Sequence, residues 1–238
     1  MLAEQLASDA RFLALLSFAG RTASLHAPAV PHRIGGFGGV TGLTEFLKAG
    51  NFEALIDATH PFAAQMSANA VQAAQALGLP LLRVERPAWQ EIAGDRWQQV
   101  DDMQAAASAL GPTPRRVFLT IGRLEIDAFR SAPQQHYLVR AVDPFELPLP
   151  AARLIAARGP FDMQAERELL QREAIEVIVS KNAGTPATYA KIAAARALAL
   201  PVIMVRRPQL PAAETVATID EALLWIERAG AAAQRGRS

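Results

Sequence analysis

Short apolar runs alternate along the chain with segments in which apolar residues recur at helical spacing. Such runs, bounded by glycine, proline and polar turns, are typical of strands buried on both faces of a parallel sheet. The predicted strands cover residues 12–18, 54–56, 79–84, 116–121, 136–142, 154–157, 174–179 and 201–205. The predicted helices cover residues 1–8, about 42–49, 59 onward, 101–110, about 124–131, 162–172, 187–199 and 220–228. Because the two types alternate without hairpin signals, the pattern predicts an α/β fold with doubly wound parallel sheets.

The segment from Arg86 to Asp95 interrupts this alternation with proline, glycine and polar residues, and we interpret it as a crossover between two domains. We therefore predict a first domain over residues 1–90 and a second over residues 91–228, followed by a flexible, solvated tail over residues 229–238. Two doubly wound domains of this kind would face each other across a cleft, which is the usual place for a ligand.

The composition is that of a globular protein, with 238 residues of which 51% are hydrophobic and 20% charged. The chain has no cysteine, which excludes disulfides and thiolate chemistry and fits a reducing cytoplasm. No apolar run approaches a membrane span, and the amino terminus lacks the basic and apolar segments of a signal peptide. The net charge of +1 creates no general field for nucleic acid. We therefore expect neither a membrane nor a nucleic-acid partner.

A buried strand feeds a helix through a short polar turn within the stretch LIDATHPFAAQMSANA. Asp57 ends the strand, Thr59 is suited to cap the helix, and Pro61 is suited to its first turn, where a missing N–H costs nothing. Free backbone N–H groups at such a joint lie at the carboxyl end of a sheet, where α/β proteins bind phosphates and carboxylates. Taken alone, the stretch could also be an ordinary strand-to-helix joint without a ligand.

Two further stretches in the first half have the character of a nucleotide site. The loop Ile34–Gly39 places four glycines around one aromatic residue, which allows positive φ and a close approach of the backbone to a ligand. Arg21 and Thr22 follow the first predicted strand without an acidic residue, a pattern that suits the 2′-phosphate of NADP. In the second half, the turns TIGR (120–123) and SKNAGT (180–185) repeat the strand-to-turn arrangement.

These stretches occur in one order with RPAW, GPF and SKN-x-G-x-x-x-TYAKI-x-AAR-x-L-x-LP. The ordered set, which runs from Leu2 to Pro208, resembles the precorrin-6A reductase family of cobalamin biosynthesis. The resemblance implies an NADPH-dependent reduction of one carbon–carbon double bond of the precorrin-6A macrocycle to give precorrin-6B. It also implies two Rossmann-like domains with the cofactor and the tetrapyrrole in the cleft between them, and a handover of the product to other corrin-pathway enzymes.

The resemblance assigns residues position by position. The cofactor side would be lined by Gly35, Gly36, Phe37, Gly38, Gly39, Asp57, Ala58, Thr59, His60, Pro61 and Phe62. Arg21, with Thr22 beside it, would read the 2′-phosphate. The substrate side would contain Thr120, Gly122, Arg123, Ser180, Lys181 and Asn182. Arginines and helix N-termini are expected to bind the many carboxylates of the substrate, and no metal site is expected.

The reduction also needs one proton, and His60, Lys181 and Tyr189 are the titratable candidates for a catalytic donor, with solvent as an alternative. His60 could instead cap its helix or pack on Pro61, and Tyr189 could be a core aromatic residue. Lys181 directly follows a strongly buried strand, and this position at the carboxyl edge of a sheet favours a functional role.

Members of this family typically begin with a hydrophobic strand and a GGT-x-EA turn, whereas this chain begins inside the helix that follows them. We therefore expect GGFGG and the turn after Asp57 to hold whatever cofactor the chain binds. One alternative is a cobalt-precorrin-6A reductase of the anaerobic route. Another is a non-catalytic NADP- or tetrapyrrole-binding protein. A SAM-dependent methyltransferase is less favoured, because no glycine-rich SAM loop is visible.

Overall fold

The structure is a computed structural model that describes residues 2–20 and 30–235. The chain forms two compact units, one made of Met1–Pro87 together with Gln209–Ser238 and the other of Ala88–Pro208. All strand pairs found in the described residues are parallel, so the predicted α/β fold with parallel sheets is confirmed. None of the described helices is long and apolar enough to cross a membrane.

The first unit contains two small parallel sheets with helices around them. Its strands are β1 (Leu16–Phe18), β2 (His32–Ile34), β3 (Leu55–Asp57), β4 (Leu81–Val84) and β11 (Glu214–Val216). Its helices are α1 (Leu2–Ala7), α2 (Gly39–Ala49), α3 (Ala64–Leu77) and α7 (Ile219–Arg235). One sheet pairs β1 with β2, and the other has the order β11-β4-β3. The predicted strand over 12–18 is reduced to β1, because only these residues pair with β2.

The end of the chain returns to the first unit, which differs from the division expected from the sequence. Strand β11 pairs with β4 in register Glu214 to Leu82. Helix α7 then packs Ala222 and Trp225 against Leu82 in one buried cluster. This apolar contact and the strand pairing hold residues beyond Pro208 on the first unit. The last helix also continues to Arg235, through part of the segment for which we expected a flexible tail.

The second unit is built on one six-stranded parallel sheet. Its strands are β5 (Trp97–Val100), β6 (Arg116–Thr120), β7 (His136–Ala141), β8 (Ala152–Ala156), β9 (Val177–Lys181) and β10 (Val202–Val205). Its helices are α4 (Met103–Ala109), α5 (Met163–Arg172) and α6 (Ala190–Ala197), with 3-10 helices at Arg123–Ser131 and Pro186–Thr188. Fully buried apolar side chains from β6, β9, β10 and α6, including Phe118, Ile178, Met204 and Ile192, form its core.

The strand order of this sheet, β5-β10-β9-β6-β7-β8, fixes which face each helix covers. The chain steps in one direction from β5 through β6 and β7 to β8, and it steps back from β8 through β9 to β10. Since parallel crossovers are right-handed, helices on the outward and return paths lie on opposite faces. The connections that leave the neighbouring strands β6 and β9 therefore go to opposite faces of the sheet. The carboxyl edge between these two strands is thus the topological switch point. Open α/β sheets bind their ligands at such a point.

Candidate functional site

The turns TIGR and SKNAGT meet at this switch point. Thr120 and Ser180 are register partners on β6 and β9, so the residues after them emerge side by side. The Thr120 hydroxyl donates to the Val179 carbonyl at 3.1 Å. Ser180 is buried, and its hydroxyl donates to the Lys181 carbonyl at 3.2 Å. Both hydroxyls are thus bonded to backbone carbonyls of β9, and the charged residues that follow this edge are Arg123, Glu125 and Lys181.

An ion pair joins the two turns. Lys181 Nζ donates to Glu125 Oε1 at 2.7 Å, and the other carboxylate oxygen accepts from the Gly122 backbone N–H at 2.6 Å. The side chains of Lys181 and Glu125 are 15% and 28% exposed. Reasoning from the sequence missed Glu125, which stands three residues after Gly122, the position from which a glutamate can fold back to the N-cap backbone N–H.

Arg123 lies on the same turn in a different environment. It is exposed, and its guanidinium stands over the Phe145 ring, 5.6 Å from the ring centre. No ion pair of Arg123 occurs within the described residues. The neighbouring Leu124 is 71% exposed and Val142 is 39% exposed. A guanidinium beside apolar surface can bind a carboxylate on an otherwise apolar ligand.

Asn182 uses its side chain within the protein. Its Oδ1 accepts from the Trp89 N–H at 2.7 Å, and its Nδ2 donates to the Trp89 carbonyl at 2.9 Å. Arg207 Nε also donates to the Asn182 carbonyl at 2.9 Å. The amide predicted to bind substrate therefore clamps the RPAW segment to the carboxyl edge of the sheet.

Tyr189 belongs to the same region. Its ring is 5.6 Å from that of Trp89, and its hydroxyl accepts a hydrogen bond from Arg196, which is also paired with Asp95 at 2.9 Å. The alternative of a packing role for Tyr189 is thus supported by these contacts. Its hydroxyl nevertheless keeps its own proton available for donation, since the bond from Arg196 uses only a lone pair.

A buried charged cluster underlies this part of the unit. Arg140 and Glu166 form a bidentate ion pair, with one contact of 2.9 Å, and Arg140 stands 3.7 Å from the centre of the Phe161 ring. Lys191 is buried with its ammonium 5.2 Å from the Trp89 ring centre. Desolvation by burial, and then the charge of Arg140, lowers the pKa of Lys191 to about 7, while Glu166 partly opposes this.

The glycine-rich loop of the first unit follows β2 and opens α2. Gly38 and Gly39 have φ of 79° and 84°, and a Cβ at either would meet no atom within 4 Å. Gly38 is the N-cap and offers no side-chain oxygen, so the first N–H groups of α2 have no side-chain cap. Arg33, which we did not predict, donates to the carbonyls of Gly35 and Gly36 at 2.9 Å each.

Arg33 also stands 4.1 Å from the centre of the Phe37 ring, so Phe37 serves to fix this loop together with Arg33. The sequence offered a signal for Arg33, because a cation two residues before the first glycine can reach the carbonyls of the loop.

The turn after β3 is built differently from the prediction. Helix α3 begins at Ala64 with Ala63 as its N-cap, so Thr59 is not the N-cap. Thr59 instead donates its hydroxyl and its backbone N–H to Asp57 Oδ1, at 2.6 and 3.2 Å. Since the buried Asp57 carboxylate competes successfully for Thr59, the Ala58–Pro61 turn is extended and the helix starts one turn later.

The second oxygen of Asp57 accepts from Arg83 Nε at 3.3 Å, and both side chains are almost fully buried. His60 and Ala58 are exposed in this turn, Pro61 is buried, and His60 Nδ1 accepts from the Phe62 N–H at 3.2 Å. Asp57 thus shapes the turn, and the start of α3 that follows it has no side-chain cap. Arg21 and Thr22 lie outside the described residues, and no cluster of potential metal ligands occurs within the described ones.

Comparisons with known proteins agree with one another. Residues 1–227 match the family model described as "Precorrin-6x reductase CbiJ/CobK". The chain is 51% identical to the precorrin-6A reductase of Rhodobacter capsulatus over 226 residues, which cover 94% of this chain and 90% of that protein. It is 30% identical to the cobalt-precorrin-6A reductase of Priestia megaterium over 75% of this chain and 74% of that one. A solved structure described as CobK precorrin-6A reductase matches with a TM-score of 0.91 at 50% identity, covering 96% and 92% of the two chains.

Proposed function

The chain belongs to the precorrin-6x reductase family, and from that membership we propose that it is a precorrin-6A reductase. The reaction is the NADPH-dependent reduction of one carbon–carbon double bond of the precorrin-6A macrocycle to give precorrin-6B. The structural observation that supports the proposal is the joining of TIGR and SKN by the Lys181–Glu125 ion pair at the switch point of the six-stranded sheet. This edge presents a lysine, an exposed arginine and apolar surface, as a flat substrate with many carboxylates requires.

The metal-free macrocycle is favoured over its cobalt-bearing counterpart. Relatives named precorrin-6A reductase share 40–51% of their residues with this chain, whereas those named cobalt-precorrin-6A reductase share 30–31%. The absence of a cluster of metal ligands in the described residues does not bear on this choice, because cobalt would arrive within the substrate.

The first unit is suited to hold a nicotinamide dinucleotide. The uncapped start of α2 and the open space beside Gly38 and Gly39 fit a diphosphate, because N–H groups at a helix start carry partial positive charge. The exposed residues of the turn after Asp57 and the uncapped start of α3 would line the same cofactor. NADPH rather than NADH is favoured by the Arg21–Thr22 pair in the sequence. When bound, the cofactor supplies the hydride.

The residues of the second unit would orient the substrate and supply the proton. Arg123 would bind a substrate carboxylate, with Gly122 allowing close approach and Asn182 holding Trp89 beside the site. Reduction adds a hydride to one carbon of the double bond and a proton to the other. We assign the proton to Lys181 Nζ, which lies at the switch point and regains its proton from solvent.

His60 and Tyr189 are less favoured as donors. His60 belongs to the turn after β3 and not to the switch point of the six-stranded sheet, and the Tyr189 ring packs against Trp89. Substitution of each candidate by a residue that cannot donate, as in Lys181→Met, His60→Phe and Tyr189→Phe, separates them. The true donor shows the largest loss of kcat, on the order of 100-fold or more.

The direct test is to incubate the protein with precorrin-6A and NADPH and to follow the loss of NADPH absorbance and the gain of two hydrogens in the product mass. Parallel reactions with NADH and with cobalt-precorrin-6A test the choice of cofactor and substrate. Binding of both ligands by calorimetry without reduction would identify a non-catalytic binding protein instead. A cytoplasmic location, which the cysteine-free sequence favours, belongs to the same proposal.

A further inference from the structure

We propose that Glu125 is a positioning residue of this reaction, which reserves the Lys181 ammonium for the reacting carbon and leaves the substrate carboxylates to Arg123. The inference rests on the proposed function, in which Lys181 delivers the proton. Nothing in the motifs or the comparisons assigns a role to Glu125.

Both carboxylate oxygens of Glu125 are in use. One is 2.7 Å from Lys181 Nζ and the other is 2.6 Å from the Gly122 backbone nitrogen. One end of the carboxylate is therefore fixed to the backbone of the turn after β6, and the other end fixes a side chain from the end of β9. Because a lysine side chain is long and flexible, an unheld ammonium would sample many positions. Glu125 selects one of them, beside the switch point.

Gly122 supports this interpretation through its local geometry. Its φ is −78°, a conformation that any residue adopts, so the backbone does not require glycine here. A Cβ at this position, however, would lie 2.5 Å from Glu125 Oε2, closer than Cβ atoms approach other atoms. The glycine is therefore explained by the carboxylate that folds back over it. The TIGR turn is built to accept Glu125 as well as to approach a ligand.

Lys181 and Arg123 consequently differ in how readily each can bind a substrate carboxylate. A substrate carboxylate that reached Lys181 would have to displace a carboxylate that is tethered by its own turn and already in contact. Arg123 is exposed, is packed on Phe145, and makes no ion pair among the described residues. It can receive a carboxylate without such competition and with bidentate geometry. The pairing of Lys181 with Glu125 thus leaves Lys181 for proton delivery and Arg123 for substrate recognition.

A merely structural role for Glu125, as the cap of the 3-10 helix Arg123–Ser131, makes a different prediction. Loss of a cap lowers stability and changes the two kinetic parameters together, if at all. A positioning role lowers kcat and leaves the affinity for the macrocycle nearly unchanged. The split between kcat and KM therefore distinguishes the two.

The test is Glu125→Gln in the full chain, assayed with precorrin-6A and NADPH. Glutamine keeps an oxygen for the Gly122 N–H and removes the charge that holds Lys181. We expect kcat to fall by about 10-fold or more with KM for precorrin-6A changed by less than about 3-fold. Arg123→Gln should show the reverse, with KM raised by about 10-fold or more. Asp127→Asn is the matched control, since Asp127 is 72% exposed on the same short helix and pairs with Arg130 at the surface.

Gly122→Ala provides a second variant that changes no charge. Its methyl group would push the Glu125 carboxylate away from Lys181, so the same loss of kcat is expected, and this variant decides the matter if Glu125→Gln does not fold. If Glu125→Gln or Gly122→Ala retains kcat within 2-fold, or if the loss lies in KM, the inference is wrong while the reductase activity stands. If the wild-type protein does not reduce precorrin-6A, the proposed function fails and the inference fails with it.

Discussion

Replacement of Lys191 by methionine should remove a pH-dependent contribution to the free energy of unfolding of the protein. Lys191 is 4% exposed, and its ammonium donates to the Thr188 carbonyl at 2.9 Å. Burial is the main reason that its pKa is lowered to about 7, and the nearby Arg140 adds to the effect. Methionine has a similar length and no charge, so it can fill the same space beside Trp89.

The direction and size of the effect follow from proton linkage. The pKa of lysine in the unfolded chain is about 10.5, so between pH 7 and pH 10.5 the unfolded state binds more protons than the folded state. The free energy of unfolding therefore rises with pH across this window, and it is insensitive to Lys191 below pH 7, where both states are protonated. Between pH 7 and pH 9 the rise amounts to about 2 kcal/mol for this one group.

The assay is urea unfolding of the wild type and Lys191→Met at a series of pH values, with the difference between their free energies of unfolding plotted against pH. Subtraction isolates Lys191, because all other titrating groups are common to both proteins. Since the chain has only three lysines, NMR of carbon-13-labelled lysine can also follow Lys191 directly. Lys48→Met, at an exposed lysine, is the control and should show no such slope. A difference that is flat from pH 7 to pH 9, or a Lys191 signal that titrates near pH 10.5, would refute the reasoning.

Three further substitutions test the supporting contacts. Asp57→Asn should destabilise the protein by about 3 kcal/mol in urea unfolding, because it leaves the buried Arg83 without a counter-charge; an effect below 1 kcal/mol would contradict this. Arg33→Gln should weaken NADPH binding by about 10-fold in calorimetry, with precorrin-6A binding unchanged, because two bonds to the glycine loop are lost; Arg130→Gln, at a surface arginine, is the control. Asn182→Ala should cost about 2 kcal/mol of stability and alter tryptophan fluorescence, because both backbone bonds to Trp89 disappear; an unchanged emission spectrum would argue against the clamp.

The sequence predicted best those elements whose conformation depends on residues that are close together in the chain. Apolar runs predicted the central strands of the six-stranded sheet, β6, β7, β9 and β10, because strands covered on both faces are apolar throughout. It missed β2, β5 and β11, whose sequences HRI, WQQV and ETV are short and rich in polar residues. Two of these, β5 and β11, lie at the edges of the larger sheets, where only one neighbour is needed and burial is incomplete. Their strand conformation depends on a partner that is distant in the chain.

The same distinction applies to the candidate site. The motifs located the turns TIGR, SKN, GGFGG and ATHPF, because turn chemistry is written in consecutive residues. They did not reveal Glu125, whose lysine partner is 56 residues away. They also gave Thr59 the wrong role, because the Asp57 carboxylate that accepts its hydroxyl is buried and bonded to Arg83, 26 residues further along.

The sequence by itself thus determined the alternation of strands and helices, the parallel sheets and the family. Periodicity, turn residues and motif order are local properties, and they can be recognised in the sequence without the fold. Only the tertiary structure decided which strands are neighbours, that the chain beyond Pro208 returns to the first unit, and which charges are paired. Strand order brings residues far apart in the chain to one sheet edge, and burial there sets the partners of each charge. The division of work that we propose between Lys181 and Arg123 depends on that placement.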